Sequence, residues 1–256
     1  MHEVTEANCL PNIDWTAPWI ENWSDIGQRV LNSLCGENES LATILNIYRA
    51  DLKFTFVDQC ELNTPFTYET FIDQSNAIPT RQNVHDLLNG LSWIKYPLTK
   101  ERMLGLQAAE VRKNAGIDQS QVRGAVRDAI TVFDENGILL QADEQIWLAL
   151  ENKDWNKLFI QHRALWSKAR VWIFGHALLE KLITPRLSIT GHVLRLKLPM
   201  DIVGSDIDQW VSERIISMDW AQKPFSPLQV LGVPGWWEEN DAPGFYENTD
   251  VFRPSR

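Results

Sequence analysis

The chain has 256 residues, and 24 Lys and Arg against 34 Asp and Glu give a formal charge of −10. Apolar residues at 44% and charged residues at 23% are an ordinary globular balance, and the length allows one large domain or two small ones. An acidic surface repels phosphate backbones and anionic headgroups, no apolar run reaches the about 18 residues of a membrane span, and residues 1–20 lack the positive start of a signal peptide; these features argue against nucleic-acid and membrane partners and for the cytoplasm.

The three cysteines, Cys9, Cys35 and Cys60, are odd in number and widely spaced. They fit a reducing compartment and read as small buried apolar groups rather than as a disulfide framework or a zinc site. Twelve tryptophans are the unusual feature of the composition. Such density implies either a core built on large rings or aromatic platforms for a ligand.

In chain order, Trp15, Trp19 and Trp23 repeat every four residues, but Pro11 and Pro18 interrupt a helix. Residues 1–50 therefore read as an aromatic and helical segment plastered onto the domain formed by residues 51–256, one structural unit overall. Ile26, Val30, Leu31 and Leu34, then Leu41, Ile44 and Leu45, fit two short amphipathic helices broken near Gly36. Residues 52–57 alternate like a strand, and residues 66–74 read as a short helix broken by Pro79. Val84, Leu87, Leu88 and Leu91 predict a helix that Pro97 ends, and Thr99 caps another to about Ala115.

Residues 129–133 are β-branched and aromatic, and Asp134-Glu135-Asn136-Gly137 leads into Ile138-Leu139-Leu140. This pattern predicts a hairpin. Asp143 and Asp154 cap two further helices, residues 170–174 form a strand that feeds a helix over 175–183, and residues 192–198 form another strand. A helix follows Asp206. The last 35 residues combine five prolines with Trp236, Trp237, Phe245, Tyr246 and Phe252, which predicts an ordered, irregular wrap. The expected fold class is α+β: a single mixed domain, helix-rich, with a small sheet.

Several phrases together resemble a known family. They are Pro79-Thr80-Arg81-Gln82-Asn83-Val84-His85-Asp86-Leu87-Leu88-Asn89, Arg127-Asp128-Ala129-Ile130-Thr131-Val132-Phe133-Asp134-Glu135-Asn136-Gly137 and Phe174-Gly175-His176-Ala177-Leu178-Leu179-Glu180-Lys181. The tail adds Leu231-Gly232-Val233-Pro234-Gly235-Trp236 and Val251-Phe252-Arg253-Pro254. This looks like the proteobacterial domain-of-unknown-function family 3025, over about residue 50 to the C-terminus. Val84 departs from the aromatic residue expected before His85. The resemblance implies one domain and carries no catalytic residues with it.

The residues themselves suggest chemistry. His85 and Asp86 open a helix with Asn89 one turn on, a doublet able to bind a divalent metal; the plainer reading is a helix-start carboxylate and a hydrogen-bonded imidazole. His176 and Glu180 share a helix face at a strand-to-helix junction, suited to base or ligand duty or simply to an intrahelical pair. Asp134 is a metal ligand or general base at a strand end, or ordinary turn chemistry. Arg81 can take a carboxylate or phosphate, Arg127 pairs with a neighbour or substrate, and Trp236 can stack on a ring.

The expectation that follows is an enzyme with His85, Asp86, His176 and Glu180 as catalytic groups. Arg81, Asn89, Arg127 and Trp236 would contact a small polar substrate, and His85, His176 and Asp134 are candidate ligands for a divalent metal. Hydrolysis or another acid–base reaction is the least specific chemistry these groups perform. The rivals are an adaptor that uses Trp236, Trp237 and Tyr246 as a contact patch, and an RNA-related factor acting through Arg81, Arg123 and Arg127. Oligomeric state stays open.

Overall fold

The computed structural model describes residues 10, 12–36, 39–50, 52–59, 67–113 and 124–254; Cys9, Cys60, Arg123 and the turn after the expected helix end at Ala115 lie outside them. Helices α1 (Ser24–Gly36) and α2 (Leu41–Tyr48) precede strand β1 (Thr55–Asp58), helix α3 (Tyr68–Ser75) and strand β2 (Ala77–Thr80). Helices α4 (Val84–Lys95), α5 (Pro97–Lys113) and α6 (Ala125–Asn136) follow, then β3 (Gly137–Gln141) and α7 (Glu144–Glu151). The chain continues through β4 (Arg170–Ile173), α8 (His176–Ile183), β5 (Thr190–Leu194), α9 (Ile207–Arg214) and β6 (Phe225–Gln229). This is a single α+β unit. No helix among the described residues is long and apolar enough to cross a membrane.

Four strands form one sheet in the order β4-β3-β5-β6, and β1 pairs parallel with β2 in a separate ribbon. β3 lies antiparallel to β4 and parallel to β5, and β5 is antiparallel to β6. Every residue of β3 is buried, as befits an inner strand. Helix α6 covers β3 and β5, α4 and α5 pack side by side, and α8 crosses α4 and α6. Phe133 of α6 stacks on Phe174 at the end of β4, with centroids 4.5 Å apart and planes 6° from parallel.

The expected hairpin is corrected. Residues 125–136 form helix α6, with Ala129, Ile130 and Phe133 buried on one face. Gly137 has φ −72°, so no positive-φ turn exists there, and β3 pairs instead with β4 and β5. Arg127 and Asp128 thus sit in the first turn of α6, and Asp134 in its last. α4 ends just before Pro97 as expected, but α5 begins at Pro97 itself instead of at a Thr99 cap: at the first helical position the missing N–H of proline costs nothing. The segment after Asp154 is a π turn (Lys157–Gln161) and a 3₁₀ turn (Arg163–Lys168) instead of one α-helix. Cys35 is exposed at the end of α1, where a buried position was expected.

The N-terminal aromatic residues dock on the domain. Trp23 is fully buried in a 3₁₀ turn and its Nε1 donates to the Ile173 carbonyl at 3.1 Å, so residues before α1 are tied to β4. The C-terminal residues form 3₁₀ turns over an aromatic cluster in which Phe159 stacks on Tyr246 at 5.0 Å and Phe252 packs edge-on. Buried Asn240 holds this wrap: its amide donates to the Val233 carbonyl at 2.8 Å and its Oδ1 accepts from Arg163 Nη2 at 3.2 Å.

Candidate functional site

Three helices each offer one face to a common cavity of about 360 Å³. From α4 come His85, Asn89 and Trp93, spaced by four; from α5, Lys100, Met103, Leu104 and Gln107; from α6, Thr131, Asp134 and Glu135. α3 contributes Tyr68 and Glu69, and α8 contributes His176.

The start of α4 is fixed locally. Asn83 caps the helix by accepting the Asp86 N–H at 2.8 Å. The Asp86 carboxylate then accepts from the Arg81 backbone N–H at 2.6 Å and from the Arg81 guanidinium at 3.1 and 2.9 Å. Both oxygens of buried Asp86 are therefore engaged with Arg81, and the doublet's two side chains do different things. Asp86 shapes the chain before the helix, while His85 turns toward α8.

At the α4–α8 crossing His85 Nδ1 lies 2.7 Å from Glu180 Oε2, and its Nε2 lies 3.2 Å from Nε2 of His176. The rings meet at 77° with centroids 4.6 Å apart. His176 is the first residue of α8, after Gly175. A Cβ on Gly175 would sit 2.4 Å from the Glu135 carbonyl oxygen, so only glycine lets α8 begin this close to the end of α6. That closeness brings His176 Nδ1 to 4.0 Å from Asp134 Oδ2.

Asp134 in turn receives Lys100 Nζ on its other oxygen at 2.5 Å. Lys100, only 4% exposed, also donates to Asn89 Oδ1 at 3.0 Å and lies over the Trp93 ring. The Asn89 amide donates to the Tyr68 hydroxyl at 2.9 Å. A continuous polar chain thus runs Tyr68–Asn89–Lys100–Asp134 beside the two imidazoles.

Burial pushes the His176 imidazole down to about 4, with Lys100 and His85 adding to the effect and Asp134 opposing it, so the ring is neutral near pH 7. Burial by itself would raise the Asp134 carboxyl, but the ammonium of Lys100 holds it below its ordinary value. The wall therefore presents a carboxylate–ammonium pair and a neutral base side by side.

His85, His176, Asp134, Asn89, Arg81 and Asp86 all line the cavity, and Glu180 supports it through His85. Arg127 does not line it: its Nη2 lies 3.8 Å from Glu69 Oε2, one step behind the wall. Trp236 does not line it either; it packs edge-on against Trp19 with centroids 6.4 Å apart. Trp237 and Tyr246 are likewise part-buried against the core. Lys100, Tyr68 and Trp93 escaped the sequence reading. The fourfold spacing His85–Asn89–Trp93 was a usable signal, whereas Lys100 in a charged helix start looks like a solvated residue.

The model of the family described as "Protein of unknown function (DUF3025)" matches residues 54–256. The chain belongs to the DUF3025 family. The matched range contains every cavity residue and leaves the docked N-terminal segment, with Trp23 and α1, outside the DUF3025 match. No curated protein and no solved structure matches the chain.

Proposed function

We propose that this protein is an enzyme that performs acid–base chemistry, of the hydrolytic kind, on a small polar substrate held in the cavity between α3, α4, α5 and α6. The observation that carries the reading is the approach of the His85 and His176 Nε2 atoms to 3.2 Å in the wall of a cavity that also buries Lys100 against Asp134. Buried ionisable groups are costly, and their concentration around one hollow marks a site better than a core.

The roles follow from exposure and partners. Glu180 accepts the His85 Nδ1 proton, leaving Nε2 as the base; His85, with 37% of its side chain exposed, connects the cavity to solvent. In hydrolysis His85 Nε2 takes a proton from the attacking water and returns it to the leaving oxygen or nitrogen as the scissile bond breaks. Lys100, oriented by Asp134 and Asn89, stabilises negative charge developing on the substrate oxygen. Asp86 and Arg81 position the start of α4. The packing of Trp236, Trp237 and Tyr246 against the core supports this reading over a contact module built on those rings.

The test is a turnover screen of carboxylic esters, phosphoesters and amides with the full chain, His85→Gln and His176→Gln. Turnover by the wild type that falls about 10²–10⁴-fold in both variants is expected, the range for loss of a general base. Turnover that survives both substitutions, or a wild type inert to all three classes, overturns the proposal.

A further inference from the structure

The hydrogen-bonding of the two imidazoles is incomplete. Glu180 holds a proton of His85 on Nδ1, so in the neutral ring Nε2 carries a bare lone pair. If His176 carries its proton on Nε2, it can donate to that lone pair, but its own Nδ1 is then a bare acceptor buried 4.0 Å from a carboxylate. By strict distance and angle that Nδ1 has no hydrogen-bond partner among the described residues; the groups facing it are the Asp134 carboxylate at 4.0 Å and the Asp134 backbone carbonyl. If His176 carries its proton on Nδ1, the proton faces Asp134, but two bare lone pairs then confront each other across 3.2 Å. A metal cation between the two Nε2 atoms removes this conflict, and it selects the tautomer in which each imidazole turns its Nδ1 proton toward a carboxylate, Glu180 at 2.7 Å and Asp134 at 4.0 Å.

The spacing suits a metal. Two nitrogens at ~2.0–2.1 Å from one tetrahedral ion lie ~3.3 Å apart. The charge suits it as well: Glu69, Asp86, Asp134 and Glu135 outnumber Arg81 and Lys100 in the cavity lining, with Glu180 just behind His85. We infer that His85 and His176 together bind one divalent transition-metal ion through their Nε2 atoms, with Glu180 and Asp134 as the outer carboxylates that orient them. Asp134 is thereby removed from the expected ligand set, because it faces the Nδ1 edge of His176. Imidazole favours ions of the zinc, nickel and copper type over magnesium or calcium. Among the described residues no group of three or more His, Cys, Asp or Glu converges on one point, so the protein supplies two ligands, one fewer than the usual catalytic zinc site, and the remaining positions fall to water or substrate.

This inference rests on the same cavity as the proposed activity and shifts one role within it: once its Nε2 binds the ion, His85 is no longer the free base, and the metal would lower the pKa of the attacking water in its place; binding itself is measured without turnover. The full chain, freed of metal by chelator and dialysis, is titrated with Co²⁺ by calorimetry and visible absorption, then with Zn²⁺ in competition. One ion per chain with visible ligand-field bands is expected. Binding should be lost in His85→Gln and His176→Gln and weakened about 10–100-fold in Glu180→Gln, the usual cost of an outer carboxylate. Circular dichroism checks that each variant folds. If one does not, nitrogen-15 NMR of the wild type decides, since both histidines must show Nδ1–H tautomers with Zn²⁺ bound. Absence of cobalt bands and heat in the wild type overturns the inference. Metal-free protein that still turns over a substrate with dependence on His85 also counts against the metal while leaving the acid–base activity standing. Metal binding in a protein that turns over no substrate supports the site and fails the activity.

Discussion

The wall of the α4–α8 cavity and the C-terminal wrap are both rich in rings and polar groups, yet they treat those groups oppositely. In the wrap, Asn240, Tyr246 and Trp155 each find a backbone carbonyl: Val233 at 2.8 Å, Gly232 at 3.0 Å and Arg253 at 2.7 Å. Around the cavity, His176 Nδ1, Trp93 Nε1 and Arg127 Nε are buried without hydrogen-bond partners among the described residues. Satisfied buried polar groups fix a structure; unsatisfied ones cost stability and are kept where a ligand completes them. The comparison sets a region whose polar groups are closed within the fold against one whose polar groups stay open, which is what the proposed binding cavity requires.

Three changes break or sharpen that contrast. Lys100→Met leaves Asp134 without its cation in the cavity wall. Removing one partner of a buried pair costs about 3–5 kcal/mol; with Asp134 26% exposed, about 2–3 kcal/mol of unfolding free energy is expected from denaturant melts. Lys100→Met combined with Asp134→Leu should recover most of that loss while turnover stays abolished. A single variant as stable as wild type would show that the pair is dispensable.

Asn240→Ala strands the Val233 carbonyl and Arg163 in the wrap, for an expected loss of about 2 kcal/mol. Here kcat/KM measured well below the melting temperature should not move. A fall in activity matching that of the histidine variants would mean the two regions are not separate.

The smallest effect is on pH. The His176 imidazole is depressed from 6.5 to about 4, so the unfolded chain takes up a proton that the folded chain refuses. The stabilisation is complete above pH about 6.5 and is lost progressively as the pH falls towards about 4. Melts of chelator-treated protein across that window should slope downward toward acid, and His176→Gln should flatten the slope. A slope unchanged by the substitution would place the titration elsewhere.

Much of the local structure was legible. Asp143 reads as a cap and accepts an N–H of α7, the helical spacing from Val84 appears as α4, and the strand feeding a helix at Gly175 appears as β4 and α8. β2 and β6 were missed because Pro79 and Pro227 discourage a strand reading; both strands lie at sheet edges, where a missing donor is tolerated. Residues 125–136 misled because β-branched Ile130, Thr131 and Val132 favour a strand locally. Burial of Ala129, Ile130 and Phe133 against the sheet outweighs that preference. In the site, helix spacing alone could pair His176 with Glu180, and the structure gives Glu180 to His85 instead.

The sequence by itself determined the α+β class, the helix starts that carry His85 and His176, and the aromatic character of both chain ends, because caps, periodicity and composition are local properties. Tertiary structure alone decided that residues 91 positions apart stand nitrogen to nitrogen and that Lys100 lies inside with Asp134. Those outcomes depend on α8 crossing α4 and on the bare glycine backbone that lets α8 begin against α6, and neither is encoded in any single segment.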